Sequence, residues 1–395
     1  MPVVSEYDVR ATAAAGRRML DVGLDAIITP QALEVADQLG VELRHGGAAP
    51  QAVPAVDSAR AIQRGLLRRS PRWVPPEPRR GSEPTRFSRI AFVGGGMVGA
   101  TTAHLTALTG MADELAIVDI VPGIATATAL DIEHASGITG STTRLRGGTS
   151  LDLVAGADVV VVTAGRPRSP GMDRATLMAV NQRVIADVGE AVGSHAPGAI
   201  VIVITNPVDE MTHEMWRASG LSDQRVVGMA GTLDSSRFRR SLALAAEVQP
   251  RDVWAVTMGS HGDEMVPIIS SATIKGRPAT EVLSKRQLET CVTEAVNGGA
   301  HVVALRKTGS AAIAPAHATV ELLDAIRGAS ADPVPVTAMV HGEYGLDGVF
   351  LGVRARLSTD GVTEIIEDAL SIGEREELRL AAEAISRRVA AVPGS

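Results

Sequence analysis

The stretch Ile90-Ala-Phe-Val-Gly-Gly-Gly-Met-Val-Gly99 passes from an apolar run through a cluster of glycines into residues that fit a helix. Gly94, Gly96 and Gly99 match the pattern G-x-G-x-x-G. In this pattern the first glycine permits a tight turn, the second lets the backbone approach a pyrophosphate, and the third lets the helix lie close to the strand. The stretch therefore predicts the strand, turn and helix of a dinucleotide-binding fold, although the bare pattern also fits a turn without a ligand.

An acidic residue follows where a dinucleotide-binding fold needs one. Asp119 lies 23 residues after Gly96 and ends the next predicted strand, 115–119. A carboxylate in this place accepts hydrogen bonds from a ribose diol and repels a 2′-phosphate, so it favours NAD over NADP. A helix cap or a solvated acid is the alternative interpretation of Asp119.

Strands and helices alternate outward from the glycine stretch. Valine-rich and isoleucine-rich runs are typical of strands buried on both faces, and their alternation with helices predicts a Rossmann-type, doubly wound parallel sheet in the α/β class. The predicted strands are 89–93, 115–119, 159–163 and 200–205, and the predicted helices are 98–109, 124–135 and 177–192. After about residue 230 the pattern predicts an α+β catalytic domain, with helices 234–246, 285–305, 316–326 and 374–391 and strands 253–258 and 349–357.

The chain divides into four predicted parts. Residues 1–45 form a small helical segment, in which one helix covers 10–20 and a second begins at Pro30, with Thr29 as its cap and Gly40 at its end. Residues 46–87 form a Pro/Arg-rich linker, interpreted as a solvated tether or as a basic docking stretch. Residues 88–230 form the NAD-binding domain and residues 231–395 the substrate domain. No internal repeat is evident.

Composition excludes several classes of function. The chain has 395 residues and a net charge of −7, which argues against nucleic acid or an anionic membrane as the main partner. Cys291 is the single cysteine, so no intrachain disulfide forms, as in a reducing compartment. No secretory signal or membrane-spanning run is visible, which predicts a cytoplasmic protein. The nine histidines are scattered, and no metal site is predicted.

A Gly/Pro-rich loop with two arginines follows the strand at 159–163. Its sequence, residues 163–174, is Thr-Ala-Gly-Arg-Pro-Arg-Ser-Pro-Gly-Met-Asp-Arg, which includes Arg168 and Arg174. A guanidinium group offers a rigid fork of donors that matches a carboxylate and stays charged. The loop is thus a candidate receptor for a small organic anion, with a solvated basic loop as the alternative.

Residues 89–391 resemble the lactate/malate dehydrogenase family, and within it the lactate-dehydrogenase-like malate dehydrogenases. The resemblance rests on stretches that follow one another in the order of the family: 93–99, 163–174, Thr-Asn-Pro-Val-Asp at 205–209, 228–239, Gly-Ser-His-Gly-Asp at 259–263 and Gly-Glu-Tyr-Gly at 342–345. It implies reversible hydride transfer between malate and NAD in a homodimer or homotetramer. Lactate or another 2-hydroxy acid is the alternative substrate, and a nucleotide-binding scaffold or microcompartment cargo module is the alternative of a different class.

The resemblance assigns the proton-transfer group and its support. It makes His261 the group that takes and returns a proton, as suits a side chain that titrates near neutrality. Asp234 then holds the ring of His261, and Arg237 binds the α-carboxylate of the substrate. Taken alone, His261 also fits a structural histidine, Asp234 a helix cap, and Arg237 an intrahelical ion pair with Asp234.

The remaining site residues are assigned in the same way. Arg174 polarises the keto oxygen of the substrate, and Asn206 hydrogen-bonds substrate and nicotinamide, with a turn-forming role before Pro207 as the alternative. Arg168 stands where malate enzymes of the family carry Arg and lactate enzymes carry Gln, so it implies a second substrate carboxylate. The residues expected at the cofactor are Gly94, Gly96, Met97, Val98, Gly99, Asp119, Asn181 and Asn206.

Residues 1–85 have no counterpart in that family. The sequence from Thr29 to Leu43 faintly resembles segments of bacterial microcompartment-associated proteins. This implies that the N-terminal segment directs the enzyme to a shell or to another enzyme. Deletion of the segment should then leave turnover intact.

Overall fold

The computed structural model describes residues 3–22, 26–45, 84–166, 174–262, 264–307 and 309–391. Residues 2–84 and 85–395 form two separate compact units. The predicted linker lies outside the described residues as far as residue 83, and so does the arginine loop from 167 to 173, which includes Arg168.

The N-terminal unit contains four short strands as well as the two predicted helices. Its elements are β1 (Val3–Val4), α1 (Glu6–Ala14), β2 (Met19–Val22), β3 (Ile27–Ile28), α2 (Pro30–Leu39) and β4 (Glu42–His45). The start of α2 is confirmed, because the hydroxyl of Thr29 accepts a hydrogen bond from the backbone N–H of Ala32 at 3.2 Å. Its end is also confirmed, because Gly40 adopts a left-handed φ of 63°.

The predicted helix 10–20 is wrong at both ends. The helix begins four residues earlier, where Asp8 accepts hydrogen bonds from the N–H and hydroxyl of Ser5. It stops before Gly16, whose φ of 71° turns the chain. Leu20 then lies in β2, which pairs in parallel with β4.

The unit also contains a repeat that the sequence did not reveal. A strand, a capping hydroxyl residue, a helix and a left-handed glycine occur twice, first with Ser5 and Gly16 and then with Thr29 and Gly40. The corresponding strands pair with each other, β1 with β3 and β2 with β4. The repeat is a matter of backbone geometry, because few side chains are shared between the two halves.

The larger unit is built on one twelve-stranded sheet. Its parallel half consists of β5 (Phe87–Val93), β6 (Ala112–Val118), β7 (Arg144–Gly148), β8 (Val159–Val162), β9 (Ile200–Val203) and β10 (Val226–Gly228). These strands lie in the order β7-β6-β5-β8-β9-β10, which is the 3-2-1-4-5-6 order of a dinucleotide-binding fold. The direction of the connections reverses between β5 and β8, which creates a crevice at the carboxyl ends of these two strands.

The valine runs are buried on both faces of this sheet, as predicted. In β5, Ile90 and Phe92 pack into one core while Ala91 and Val93 pack into another on the opposite face. The helices that cover the two faces are α3 (Met97–Leu108), α4 (Ile124–Thr139), α5 (Arg174–His195) and α6 (Val208–Ser219). The four predicted strands and three predicted helices of this half are confirmed to within a few residues.

The second half continues the same sheet with antiparallel strands. They are β11 (Val253–Gly259), β12 (Met265–Ile274), β13 (Arg277–Pro278), β14 (Val334–His341), β15 (Asp347–Ser358) and β16 (Gly361–Ile366). β14 pairs with β10 and so joins the two halves. The helices are α7 (Gly231–Ala245), α8 (Ala279–Val282), α9 (Lys285–Arg306), α10 (Ile313–Ile326) and α11 (Ile372–Ala390), which confirms the predicted α+β content.

Candidate active site

The glycine turn lies at the carboxyl edge of the parallel strands. Val93 is in register with Val118 on one side and with Val162 on the other, so the residues that follow these strands meet at one edge. Gly94 leaves β5 with a φ of 111°, which a residue with a side chain rarely adopts. A Cβ at Gly99 would lie 1.9 Å from the carbonyl oxygen of Gly94. The third glycine therefore allows α3 to start directly against the turn.

Asp119 holds this turn in place. Its carboxylate accepts hydrogen bonds from the N–H groups of Gly95, at 2.7 Å, and Val121, at 2.9 Å. Gly96 caps α3 and is exposed, with no atom within 4 Å of a Cβ built on it. The helix thus begins at an open position beside a carboxylate, and because the first N–H groups of a helix have no partner within it, this geometry fits the pyrophosphate and ribose of NAD.

Asn181 links the loops that follow β8 and β9. It is 1% exposed, and its amide group donates to the carbonyl oxygens of Arg166, at 3.1 Å, and Asn206, at 2.7 Å. Its side-chain oxygen accepts from the N–H of Arg166 at 2.7 Å. Among the described contacts Asn181 therefore orders the loops around the crevice, while the side chain of Asn206 is exposed at the end of β9.

Asp234, Arg237 and His261 form one hydrogen-bonded group. One oxygen of the Asp234 carboxylate lies 2.7 Å from Nδ1 of His261, and the other accepts from Nη1 of Arg237 at 2.8 Å. Asp234 lies in the first turn of α7, and His261 follows β11. The N–H of Thr257 in β11 donates to the hydroxyl of Ser235, which fixes these two elements against each other. The three predicted residues are thus brought together.

The charges around His261 favour its protonated form. Burial alone lowers the pKa of the imidazole, but the charge and hydrogen bond of Asp234, together with the charge of Asp209, raise the pKa above its ordinary value of 6.5. Because Asp234 contacts Nδ1, the other ring nitrogen, Nε2, is the one left for a substrate. The side chain of His261 is 18% exposed, so a substrate can reach the ring.

Two features of the site were missed at the level of sequence. Gly298 and Gly299 lie inside α9, where a Cβ would come within 3.1 Å and 3.4 Å of Arg237. Asp209 accepts a hydrogen bond from the backbone N–H of His261 at 2.9 Å. The available signals were a glycine pair within a helix and an acid in the motif at 205–209 to which no role was assigned.

The structure does not describe the side chains of the two loop arginines, so it does not show whether they lie near Asp234, Arg237 and His261. Arg168 lies outside the described residues, and Arg174 is described only as the first residue of α5. Their predicted contacts with substrate therefore stay predictions. Within the described part of the chain, no helix has the length and apolar character needed to cross a membrane.

A dinucleotide turn, combined with an imidazole that can titrate near neutrality and a nearby guanidinium group, is the arrangement expected of a nicotinamide-dependent dehydrogenase. The chain belongs to the lactate/malate dehydrogenase family. Residues 88–228 match the model of its NAD binding domain, and residues 231–392 match that of its alpha/beta C-terminal domain.

Relatives with known names agree with this membership. The malate dehydrogenase of Trichormus variabilis is 40% identical over 304 residues, which is 77% of this chain and 94% of the relative. The malate dehydrogenase structure from Cryptosporidium parvum is 34% identical with a TM-score of 0.74, and it covers 78% of this chain and 98% of its own. A lactate dehydrogenase structure from the same organism, with lactic acid and nicotinamide adenine dinucleotide, is 34% identical to this chain with a TM-score of 0.75. The match covers 79% of this chain and 99% of that structure's chain.

Proposed function

We propose that the protein is an NAD-dependent malate dehydrogenase that interconverts malate and oxaloacetate. The observation that supports this most directly is the contact of Asp234 with both His261 and Arg237. This contact places a group that exchanges protons beside a guanidinium group that can bind a carboxylate. A 2-hydroxy acid needs both, because its hydroxyl and its carboxylate are on adjacent carbons.

The cofactor supplies a hydride acceptor at its nicotinamide ring when bound. In malate oxidation neutral His261 takes the hydroxyl proton at Nε2, and in oxaloacetate reduction protonated His261 returns it. Asp234 stabilises the imidazolium form, so reduction is favoured below the pKa of His261 and oxidation above it. The two directions should therefore have opposite pH dependence.

Arg168 is the proposed determinant of the substrate. The carboxylate next to the hydroxyl carbon binds Arg237, and the far carboxylate of a four-carbon diacid binds Arg168. Arg174 polarises the keto oxygen when its loop closes and excludes water. Asn206 orients substrate and nicotinamide from the end of β9. A charge-assisted hydrogen bond contributes about 1.5–3 kcal/mol, which corresponds to roughly one to two decades in kcat/KM.

Fold similarity alone does not separate malate from lactate, because a malate and a lactate dehydrogenase match this chain equally well. A panel of 2-keto acids with NADH and NADPH separates them. We expect kcat/KM for oxaloacetate with NADH to exceed that for pyruvate by at least about tenfold, and Arg168→Gln to reduce this ratio by about 10- to 100-fold. Equal values for the two acids in the unaltered protein would exclude the malate assignment. Absence of turnover with every acid would favour a nucleotide-binding scaffold.

We further propose that residues 1–85 form a docking module and that the catalytic unit is a homodimer or homotetramer in the cytoplasm. The N-terminal unit has a core of its own, including Val9, Val22 and Val35, and lies outside both matched family domains. A bacterial microcompartment shell is the proposed destination. A protein that lacks residues 1–85 should keep its kcat but lose co-sedimentation with shells, and a folded truncation without activity would exclude this role.

A further inference from the structure

The loop that carries His261 is a tight connection between two antiparallel strands. Gly259 ends β11 with a φ of 83°, and the N–H of Ser260 donates to the carbonyl oxygen of Glu264 at 3.2 Å. The N–H groups of Gly262 and Met265 also donate within the loop, at 3.0 Å and 3.2 Å, but the N–H of His261 donates outside it, to Asp209. The position of His261 therefore depends on groups that reach the loop from other elements.

Asp209 reaches the loop from the first turn of α6. One of its oxygens accepts from the N–H of His261 and from the hydroxyl of Ser260, each at 2.9 Å. The other accepts from the hydroxyl of Thr337 in β14, also at 2.9 Å. Asp209 is 1% exposed, and burial together with the charge of Glu210 raises its pKa to about 6, against the lowering effect of the His261 and Ser260 hydrogen bonds.

Arg388 reaches the same loop from the last turn of α11. Its guanidinium group donates to the hydroxyl of Ser260 at 3.1 Å, to Glu264 at 2.8 Å, and to Glu210. Burial lowers the pKa of Arg388, but the charges of Glu210 and Glu264 outweigh this and raise it. Arg388 forms an ion pair with each of these glutamates, and the second oxygen of each is buried without a hydrogen-bond partner among the described residues.

These contacts form a continuous chain of hydrogen bonds from Arg388 to the backbone of His261. Arg388 donates to the hydroxyl of Ser260, this hydroxyl donates to Asp209, and Asp209 accepts from the backbone of His261. The path ends at the main-chain N–H of His261, whereas Asp234 contacts the ring nitrogen Nδ1. The C-terminal helix is thereby coupled to the residue that exchanges protons.

We propose that Asp209 is a positioning residue for His261, which holds its backbone and places a second negative charge beside its ring, and that Arg388 balances this charge. The proposal rests on the role of His261 in the proposed function. In this proposal both residues act through the loop of His261 and not by contact with substrate or cofactor. Each acts on the proton affinity of His261 through charge as well as through geometry.

The charged groups that surround His261 give the two residues opposite effects. The groups facing it or its loop among the described residues are Asp234 and Arg237 from α7, Asp209 and Glu210 from α6, Glu264 from the loop itself, and Arg388 from α11. Loss of the Asp209 charge disfavours imidazolium, whereas loss of the Arg388 charge favours it. A residue that only supported folding would not produce shifts of opposite sign.

The test is the titration of the His261 ring, followed by NMR in the full chain without substrate or cofactor. His261→Asn identifies the signal among the nine histidines. Asp209→Asn retains the shape and an acceptor oxygen, and we expect it to lower the midpoint by about one pH unit. Arg388→Gln should raise it by about half a unit or more, and Arg388→Lys, which restores the charge, should return it towards the original value.

Arg387→Gln is the matched control, because Arg387 is the exposed neighbour of Arg388 on the same helix, and it should leave the midpoint unchanged. Unchanged midpoints in Asp209→Asn and Arg388→Gln, or shifts in the same direction, would overturn the proposal. If Asp209→Asn does not fold, the absence of an upward shift in folded Arg388→Gln overturns it.

The titration also separates this proposal from the proposed function. It involves no turnover, so its outcome stands even if the unaltered protein reduces no 2-keto acid, a result that would refute the function alone. Where turnover is present, the pH limb of kcat/KM for oxaloacetate should move with the ring midpoint in each variant, while the KM for NADH stays unchanged.

Discussion

Replacement of Asp234 by Asn tests the chemistry of the site most directly. The carboxylate is 2% exposed and accepts hydrogen bonds from His261 at 2.7 Å and from Arg237 at 2.8 Å. The amide is nearly isosteric but carries no charge, and its nitrogen cannot accept a hydrogen bond. The substitution therefore removes one counter-charge from two cationic partners without opening a cavity.

The size of the effect follows from the contact with His261. A hydrogen bond to a charged group contributes about 1.5–3 kcal/mol, and 1.36 kcal/mol corresponds to one pKa unit. The pKa of His261 should thus fall by about one to two units. Reduction needs the protonated ring. At pH values above the original pKa of His261, kcat/KM for oxaloacetate should therefore fall about 10- to 100-fold, and at pH values well below it the decrease should be much smaller.

The contact with Arg237 adds a second effect. Without its carboxylate partner the guanidinium group is no longer fixed for a bidentate contact, so the KM for oxaloacetate should rise several-fold. The amide oxygen can accept only one of the two hydrogen bonds, so the free energy of unfolding should also fall by about 1.5–3 kcal/mol.

The assay is NADH absorbance between pH 5 and 9, with thermal unfolding as a check on folding. Asp187→Asn, on the exposed side of α5, is the control and should resemble the unaltered protein. A folded Asp234→Asn protein with the original pH limb and a kcat/KM within about twofold of the original would refute the role assigned to the carboxylate.

Three further variants test the cofactor side of the site. Gly99→Ala places a Cβ 1.9 Å from the carbonyl oxygen of Gly94, so it should displace α3, weaken NADH binding at least about tenfold in a fluorescence titration and destabilise the fold by about 1–3 kcal/mol. Asp119→Ser removes the charge that repels a 2′-phosphate, and the ratio of kcat/KM for NADH to that for NADPH should fall at least about tenfold; an unchanged ratio would contradict the ribose assignment. Asn181→Ala removes the three hydrogen bonds by which this side chain of α5 holds the loops after β8 and β9. The free energy of unfolding should therefore fall by about 1 kcal/mol per bond and kcat should fall with it, and wild-type values of both would refute the positioning role.

The sequence alone determined the parallel half of the fold and its cofactor turn. Runs such as Val159–Val162 can be stable only between two covering layers, and G-x-G-x-x-G after a strand admits few backbone paths. The caps of α2 could also be predicted, because Thr29 and Gly40 act on the backbone of residues next to them in the sequence. The caps and the glycine turn depend mainly on neighbouring residues, whereas the valine runs indicate from their composition alone that other elements must cover them.

The family resemblance was enough to predict that Asp234, Arg237 and His261 are site residues. Their contacts with one another could be seen only in the tertiary structure. Asp234 and His261 are 27 residues apart and meet because α7 packs against β11. The short strands of the N-terminal unit were missed because two to four residues are too few to show a clear periodicity, and these strands form only by pairing with parallel partners.

The contacts of Asp209 and Arg388 with the loop of His261 could not be predicted from the sequence. Asp209 and Arg388 contact the loop of His261 from positions 52 residues before it and well over 100 residues after it. Asp209 belongs to the motif at 205–209, but no local pattern gives its partners or marks Arg388, because a buried carboxylate or guanidinium group is stable only when folding brings its partners together. The sequence determined which local structures form, and the packing of the sheet decided which charges meet.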